Sequence, residues 1–149
     1  MPYITQERRK DPLDERSGNF KFAPGDLNYV LTKVIHDFIS ENGLSYTNCF
    51  NVNLEIDSIV EDLRFSKGEN LLLKKAIKPT THLSNKLRIT INDAHHHNGT
   101  LNNLFFIALL NDVQREFYRV VVAPYEDKKR KENGSVSELD KVLNDKRAH

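Results

Sequence analysis

A run of three histidines, preceded by Asp93, is the clearest metal-ligand pattern in the sequence. Imidazole and carboxylate groups bind transition metals when two or three of them converge on one point. Neighbouring histidines diverge, so only His95 and His97 could converge, with Asp93 as a third ligand. No HExxH pattern accompanies them, and a solvated loop or helix start is the alternative. We therefore predict no cofactor, except for a possible divalent metal at this position.

Polar side chains of mixed chemistry occupy one side of the first predicted helix. On a helical wheel, Tyr29, Lys33 and His36 lie opposite the apolar stripe, and Asn28 lies between the two faces. An aromatic ring, a cation and an imidazole can together stack on and neutralise a nucleotide-like anion. In the structural alternative, Tyr29 packs on a neighbouring helix while Lys33 and His36 face water.

A second group of arginines and tyrosines lies further along the chain. Its members are Arg115, Tyr118, Arg119 and Tyr125. The two arginines are one helical turn apart and could bind one phosphate or carboxylate together. Equally, they could pair with Asp112 and Glu116 in their own helix. The basic run 128–131 nearby is bracketed by acidic residues and suits a helix C-terminus, so it does not predict a nucleic-acid interface.

Amphipathic helices are predicted to carry both groups. Apolar residues recur at helical spacing over 27–41, with Asp26 as the N-cap and Asn42-Gly43 as the stop. A wide apolar face from 101 to 121 predicts a long helix that ends before Pro124. Proline suits the first position of a further helix, which 133–134 would end.

The C-terminal region carries one more helix signal. Residues 135–138 resemble a capping box for a last short helix.

The segment 45–92 has a different pattern. Residues 50–57 and 86–92 alternate apolar and polar side chains, which predicts two strands, and residues 69–78 between them look helical. Ile56, Ile59 and Leu63 are also spaced as in a helix, so a strand to about Ile56 followed by a helical turn reconciles the two patterns. We therefore predict a mainly α protein with a small α/β insertion over 45–92, α+β overall.

Length and charge limit the class of protein. The 149 residues predict a single domain with a polar N-terminal arm over 1–18. With 22 basic and 21 acidic residues, nucleic acid is an unfavourable partner, because duplex affinity rests on phosphate neutralisation. A lone Cys49 excludes an intramolecular disulfide and predicts a buried thiol in a reducing compartment. No apolar run approaches the roughly 18 residues of a membrane span, so we predict no membrane partner.

Four blocks of sequence resemble, in order, a family of small, uncharacterised proteins found mostly in tailed bacteriophages and prophages. The blocks are MPYI at 1–4, GDLNYVLTK at 25–33, EFYRVVVAPYEDK at 116–128 and NGSV at 133–136. Two departures stand out: Val120 replaces a second arginine of the family pattern, and residues 48–86 look inserted. The resemblance implies a helical phage accessory protein in the host cytoplasm, and it supplies no reaction.

Three functional hypotheses remain. The first is a non-enzymatic binder that captures a small anionic, nucleotide-like ligand or a host protein, with countering host defence signalling as its role. The wide apolar faces of the predicted helices also predict a homo-oligomer. The second is a metal-dependent hydrolase built on Asp93, His95 and His97. The third, disfavoured by the charge balance, is a nucleic-acid-binding regulator.

Overall fold

The computed structural model describes residues 3–10, 24–65, 82–97 and 101–141, and these contain five α-helices and no β-strand. The helices are α1 (Pro24–Asn42), α2 (Tyr46–Phe65), α3 (His82–His97), α4 (Asn103–Phe117) and α5 (Ala123–Asn133). A short 3-10 helix (Arg8–Lys10) precedes them, and a π-helical turn (Tyr118–Val122) separates α4 from α5. The prediction of a mainly α protein is confirmed. None of the described helices is long and apolar enough to cross a membrane.

The chain divides into two compact units, Met1–Arg115 and Glu116–His149. In the first unit, α1, α2 and α3 pack against one another and share an apolar core with α4. Its fully buried apolar side chains include Leu31, Ile35, Val52, Ile56, Ile59, Leu87, Ile91, Phe106, Leu110 and Val113. These residues recur at three- and four-residue spacing, so each helix presents one stripe to the core. The single-domain prediction and the predicted arm over 1–18 remain predictions.

Helix α1 begins three residues earlier than predicted and ends where expected. Asp26 therefore lies inside the first turn rather than at the N-cap, and its buried carboxylate accepts hydrogen bonds from Arg8. At the other end, Gly43 adopts a φ of +98° and donates its N–H to the carbonyl of Ile39 at 2.8 Å. Glycine is favoured there because a Cβ is strained at positive φ.

The predicted strand over 50–57 is wrong, because these residues belong to α2. Cys49, Val52, Ile56 and Leu63 are buried at helical spacing, and this longer periodicity decides the local structure. The alternation of apolar and polar residues had placed Phe50 and Leu54 in the core. Instead, both side chains are exposed on the opposite side of the helix.

The predicted strand over 86–92 is also wrong, because α3 runs from His82 to His97. Leu83, Leu87, Ile91 and Ala94 are buried and form its inner stripe. The predicted α/β insertion is therefore not observed among the described residues. The helix predicted over 69–78 lies outside them.

Pro124 shapes the junction between α4 and α5. Proline has no N–H to donate, and its ring clashes with the carbonyl four residues earlier in a regular α-helix. The π-helical turn widens the backbone just before it, and the N–H of Ala123 reaches back five residues to the carbonyl of Tyr118. The helix therefore passes through a π-turn where the sequence predicted an end. Gly134 ends α5 at a φ of +93°, as predicted.

A capping box begins a further helical turn at 138–141, two residues later than predicted. The Oγ of Ser137 accepts the N–H of Leu139 at 3.3 Å, and Asp140 accepts the N–H of Ser137 at 2.8 Å. Asp140 also accepts the N–H of Val136 at 3.0 Å. These hydrogen bonds, led by that of Ser137, lower the pKa of Asp140 below its usual value. The box is thus Ser137–Asp140.

Candidate ligand-binding site

Three of the predicted ligand-binding side chains form a stripe along α1, and the N-terminal segment adds a fourth. Tyr29, Lys33 and His36 follow one side of the helix over two turns. The guanidinium carbon of Arg9 lies 5.3 Å from the centre of the Tyr29 ring, in a cation–π contact. We call these four residues, Arg9, Tyr29, Lys33 and His36, the α1 cationic stripe.

An ion pair fixes the N-terminal segment beside α1. The Nε of Arg8 donates to Oδ1 of Asp26 at 2.9 Å, and a second guanidinium nitrogen bonds the other carboxylate oxygen. Asp26 is buried while Arg8 remains half exposed. The neighbouring Arg9 donates its Nε to the carbonyl of Ile4 at 3.1 Å. This two-point pairing places Arg9 on Tyr29.

The charges along the stripe are weakly held. Lys33 Nζ donates to both carboxylate oxygens of Asp37, at 3.1 and 3.2 Å, in an exposed pair. Such pairs contribute at most about 1 kcal/mol, so an incoming anion can compete for the ammonium. Partial burial, aided by Lys33, lowers the pKa of His36, while Asp37 acts in the opposite direction. The imidazole is therefore neutral at pH 7.

Asn28, also predicted as a ligand-binding residue, is only 1% exposed and takes part in a helix-to-helix network. Its Nδ2 donates to Asp112 on α4 at 2.6 Å, and its Oδ1 accepts the hydroxyl of Thr32 at 3.1 Å. Burial acts to raise the pKa of Asp112, but the Asn28 hydrogen bond and the charge of Arg115 help to lower it below its usual value. The amide therefore already joins α1 to α4 within the first unit.

The remaining predicted residues have partners close to them in the chain. In the first unit, Arg115 donates its Nε to the carbonyl of Asn111 at 3.4 Å. In the second unit, the guanidinium of Arg119 pairs with the carboxylate of Glu116. This is the helix-internal pairing that the sequence offered as the alternative for Arg119.

The tyrosines of the second unit also have intra-unit contacts. Tyr118 donates its hydroxyl to Glu126 at 3.4 Å, and Lys129 Nζ lies 5.6 Å from the centre of the Tyr125 ring. The predicted set is therefore divided: Asn28, Tyr29, Lys33, His36 and Arg115 lie in the first unit, and Tyr118, Arg119 and Tyr125 lie in the second.

The histidine run continues α3. Successive helical residues are about 100° apart, so Asp93 and His95 lie on different sides of the helix. Asp93 is exposed, and the half-buried His95 ring lies 6.1 Å from the ring of Phe106. Among the described residues, no three His, Cys, Asp or Glu side chains are grouped to hold a metal ion. The side chain of His97 is not described, and a metal site involving it remains a prediction.

Arg88 is a buried charged residue that the sequence did not reveal. Its Nε donates to Ser84 at 3.0 Å, and its two terminal nitrogens reach Asp62 at 2.6 Å and Ser58 at 3.4 Å. Burial lowers the pKa of the guanidinium, while Asp62 acts to raise it. In the predicted strand, Arg88 lies on the polar face. Its burial could have been predicted only from the helical spacing of the apolar residues, which puts Arg88 next to Leu87 at the buried stripe.

A groove of about 440 Å³ lies between α2 and α4 in the first unit. Its lining residues are Asp57, Val60, Glu61, Arg64, Phe65 and Asn111. Two carboxylates and one arginine make this groove acidic, so its charge does not suit an anionic ligand. It borders the exposed side of α2, opposite the buried stripe.

The comparisons with known proteins identify a family but no activity. No curated protein and no solved structure matches the chain. A family model described as "Domain of unknown function (DUF6899)" matches residues 1–66 and 81–136. The residues between the two matches lie inside the predicted insertion 45–92, whose bounds remain a prediction. Because the matched segments include all five described helices, the chain belongs to this family.

Proposed function

We propose that this protein is a non-enzymatic binding protein that captures a small anionic, nucleotide-like ligand on the α1 cationic stripe. The observation that carries the proposal is the position of Arg9, stacked on Tyr29 and followed along the same helix face by Lys33. Stacking restricts the guanidinium before a ligand arrives, which reduces the entropy lost on binding. We expect a phosphate group to bind these two cations together, because both can donate charge-assisted hydrogen bonds.

The neighbouring groups support an anion better than a neutral ligand. Among the described residues Lys33 is held by the exposed carboxylate of Asp37, which a dianionic phosphate can displace. His36 is neutral at pH 7 and can take up a proton when an anion lies beside it. We therefore expect affinity to increase as the pH falls from 7.5 towards 6.

The biological setting is part of the same proposal. The resemblance to phage and prophage proteins suggests an accessory protein in the host cytoplasm. Sequestering a nucleotide signal there would counter host defence without any catalysis. A homo-oligomer would multiply the number of sites, and sedimentation of the purified protein tests that part separately.

The test is isothermal titration with ATP, a cyclic dinucleotide and inorganic pyrophosphate. We expect at least one to bind, and the double substitution Arg9→Gln, Lys33→Gln to weaken it more than tenfold, since two charged hydrogen bonds are each worth about 1.5–3 kcal/mol. Lys86→Gln, an exposed lysine on α3, is the matched control and should leave affinity unchanged.

Three outcomes would count against the proposal. Binding that is indifferent to the double substitution would remove the stripe as the site. Adenosine binding as tightly as ATP would remove the role of the phosphate. Turnover of a nucleotide, or binding that requires Zn²⁺ or Mn²⁺ and is lost in His95→Ala, would favour the hydrolase instead.

A further inference from the structure

One side of α2 exposes three large apolar side chains along its first half and a fourth at its last residue. Tyr46, Phe50, Leu54 and Phe65 are between 51% and 68% exposed. At 100° per residue, all four fall within about a quarter turn of the helix, and Asp57 and Glu61 lie between them. We call these six residues, Tyr46, Phe50, Leu54, Asp57, Glu61 and Phe65, the α2 face.

Helix α2 cannot rotate to bury this surface. Its opposite side carries Val52, Ile56 and Ile59, which are completely buried in the core of the first unit. Turning Phe50 inward would expose those residues. With aromatic side chains of about 150–250 Å² each, the exposed apolar area of Tyr46, Phe50 and Leu54 is on the order of 300–400 Å². That is the size of the largest apolar patch on an ordinary monomer, and such patches are often binding sites.

The charge of α2 indicates what covers the face. The α2 face carries the carboxylates of Asp57 and Glu61, and the cation Arg64 shares the helix angle of Tyr46, so the net charge on this side is −1. The other two acidic residues of α2 lie on the opposite side, where Asp62 pairs with Arg88. A second copy of the chain docked on this face would add the same excess of negative charge and leave it uncompensated. A partner with basic residues around an apolar strip would neutralise the same carboxylates.

The groove beside the α2 face provides a place where a basic side chain of the partner can bind. Its walls include Asp57, Glu61 and Phe65. Gln114 on α4 donates to Asp57 at 3.1 Å and to Asn53 at 3.2 Å, which fixes the Asp57 carboxylate at the rim. A held carboxylate next to an exposed ring can receive a lysine or arginine side chain with little loss of entropy.

We propose that the α2 face binds a cationic amphipathic helix of another protein. The partner's apolar residues, spaced by three and four, pack on Phe50 and Leu54, and a lysine or arginine of the partner enters the groove beside Asp57 and Glu61. This inference rests on residues of α2 and α4 and does not depend on anion binding at α1. The apolar area is below the roughly 800 Å² per partner of a standard stable interface, so the complex is transient.

The test uses two 18-residue helical peptides with the same leucine face. One has lysines on its polar face and the other has glutamates, and fluorescence anisotropy measures both against the full chain. We expect the lysine peptide to bind at least tenfold more tightly. A lysine peptide with its leucines scrambled controls for charge attraction alone and should bind weakly.

Two double variants locate the contact. F50S/L54S should weaken the lysine peptide at least tenfold, whereas Leu104→Ser, at a still more exposed leucine on α4, should not. D57K/E61K should reverse the preference in favour of the glutamate peptide. Circular dichroism of each variant shows that the helices are retained, which is expected because all these side chains are exposed.

Other occupants of the face appear as distinct results. A dimer in sedimentation that dissociates in F50S/L54S would overturn the proposal and assign the face to a second copy. Equal affinity for both helical peptides, or full affinity in F50S/L54S, would also overturn it. Loss of anion binding at α1 with unchanged peptide binding would leave it standing.

Discussion

The buried ion pair between Arg88 and Asp62 makes a sharp prediction about the core. The guanidinium of Arg88 is 0% exposed, whereas Asp62 keeps 32% of its surface in water. The two residues are therefore not equivalent. Removing the carboxylate leaves a charge buried without its counter-ion, whereas removing the guanidinium leaves a carboxylate that water can still reach.

The magnitudes follow from this asymmetry. In Asp62→Ala, Arg88 loses a charge-assisted hydrogen bond of 2.6 Å, a loss of about 1.5–3 kcal/mol. A fully enclosed pair would lose about 3–5 kcal/mol, and the partial exposure of Asp62 reduces that figure. We expect about 2 kcal/mol. In Arg88→Met, a side chain of similar length fills the same space, so the loss should stay below about 1 kcal/mol.

Urea denaturation and thermal melting measure both effects. For a chain of this size, 2 kcal/mol corresponds to a decrease in Tm of roughly 4–8 °C for Asp62→Ala. The double variant should resemble Arg88→Met alone, because the uncompensated charge is gone. Asp37→Ala, at the exposed Lys33–Asp37 pair, is the control and should change stability by less than about 0.5 kcal/mol. If Arg88→Met were the worse of the two single variants, or if the two losses simply added, the reasoning would be refuted.

Three further predictions concern the rest of the first unit. Leu110→Ala should lower the free energy of unfolding by about 2–5 kcal/mol through a core cavity, whereas Leu104→Ala on the same helix should change it by under about 0.5; equal urea midpoints would contradict this. Gly43→Ala should lower the free energy of unfolding by about 1–2 kcal/mol, because a Cβ is strained at a φ of +98°. No atom lies within 4 Å of the added Cβ, so no clash increases this loss, and an unchanged Tm would contradict the prediction. Burial lowers the pKa of His36 below 6.5, so the unfolded chain binds more protons than the folded one, and the free energy of unfolding should fall as the pH drops below about 7. The variant His36→Gln should make this decline shallower when urea midpoints are measured between pH 7 and 5. An unchanged slope would exclude His36 as the source of the decline.

The sequence predicted α1 and α4 well because their apolar residues recur at helical spacing without a competing pattern. Segments 50–57 and 86–92 also have apolar residues at helical spacing, but their polar residues at every second position give the alternating pattern that is typical of a strand. Packing decides between the two patterns, because a helix buries Val52, Ile56 and Ile59 on one side. A strand would have put Phe50 and Leu54 on the buried face and Ile59 on the other face. Local alternation over eight residues carries less information than periodicity over twenty.

The candidate sites were only partly predictable for a different reason. Tyr29, Lys33 and His36 share a helix face, so their proximity follows from spacing alone. Arg9 comes to Tyr29 through the pairing of Arg8 with Asp26, eighteen residues away, and no local pattern encodes that contact. The position of Arg88 against Asp62 likewise depends on how α2 and α3 pack.

The net charge of this protein is close to zero, but its charges are unevenly distributed over the helix faces. The formal charge is +1, yet Arg9 and Lys33 lie along one side of α1, and the exposed side of α2 carries Asp57 and Glu61 against one cation, Arg64. Salt screens charges beyond roughly 8–10 Å, so a docked ligand responds to the helix face that it touches and hardly to the sum over the chain. The charge balance that argues against extended duplex binding therefore places no limit on a small anion at α1 or a basic helix at α2. Both interactions should weaken with rising salt, but Lys33→Gln should reduce the salt dependence of anion binding only, and Glu61→Gln that of peptide binding only.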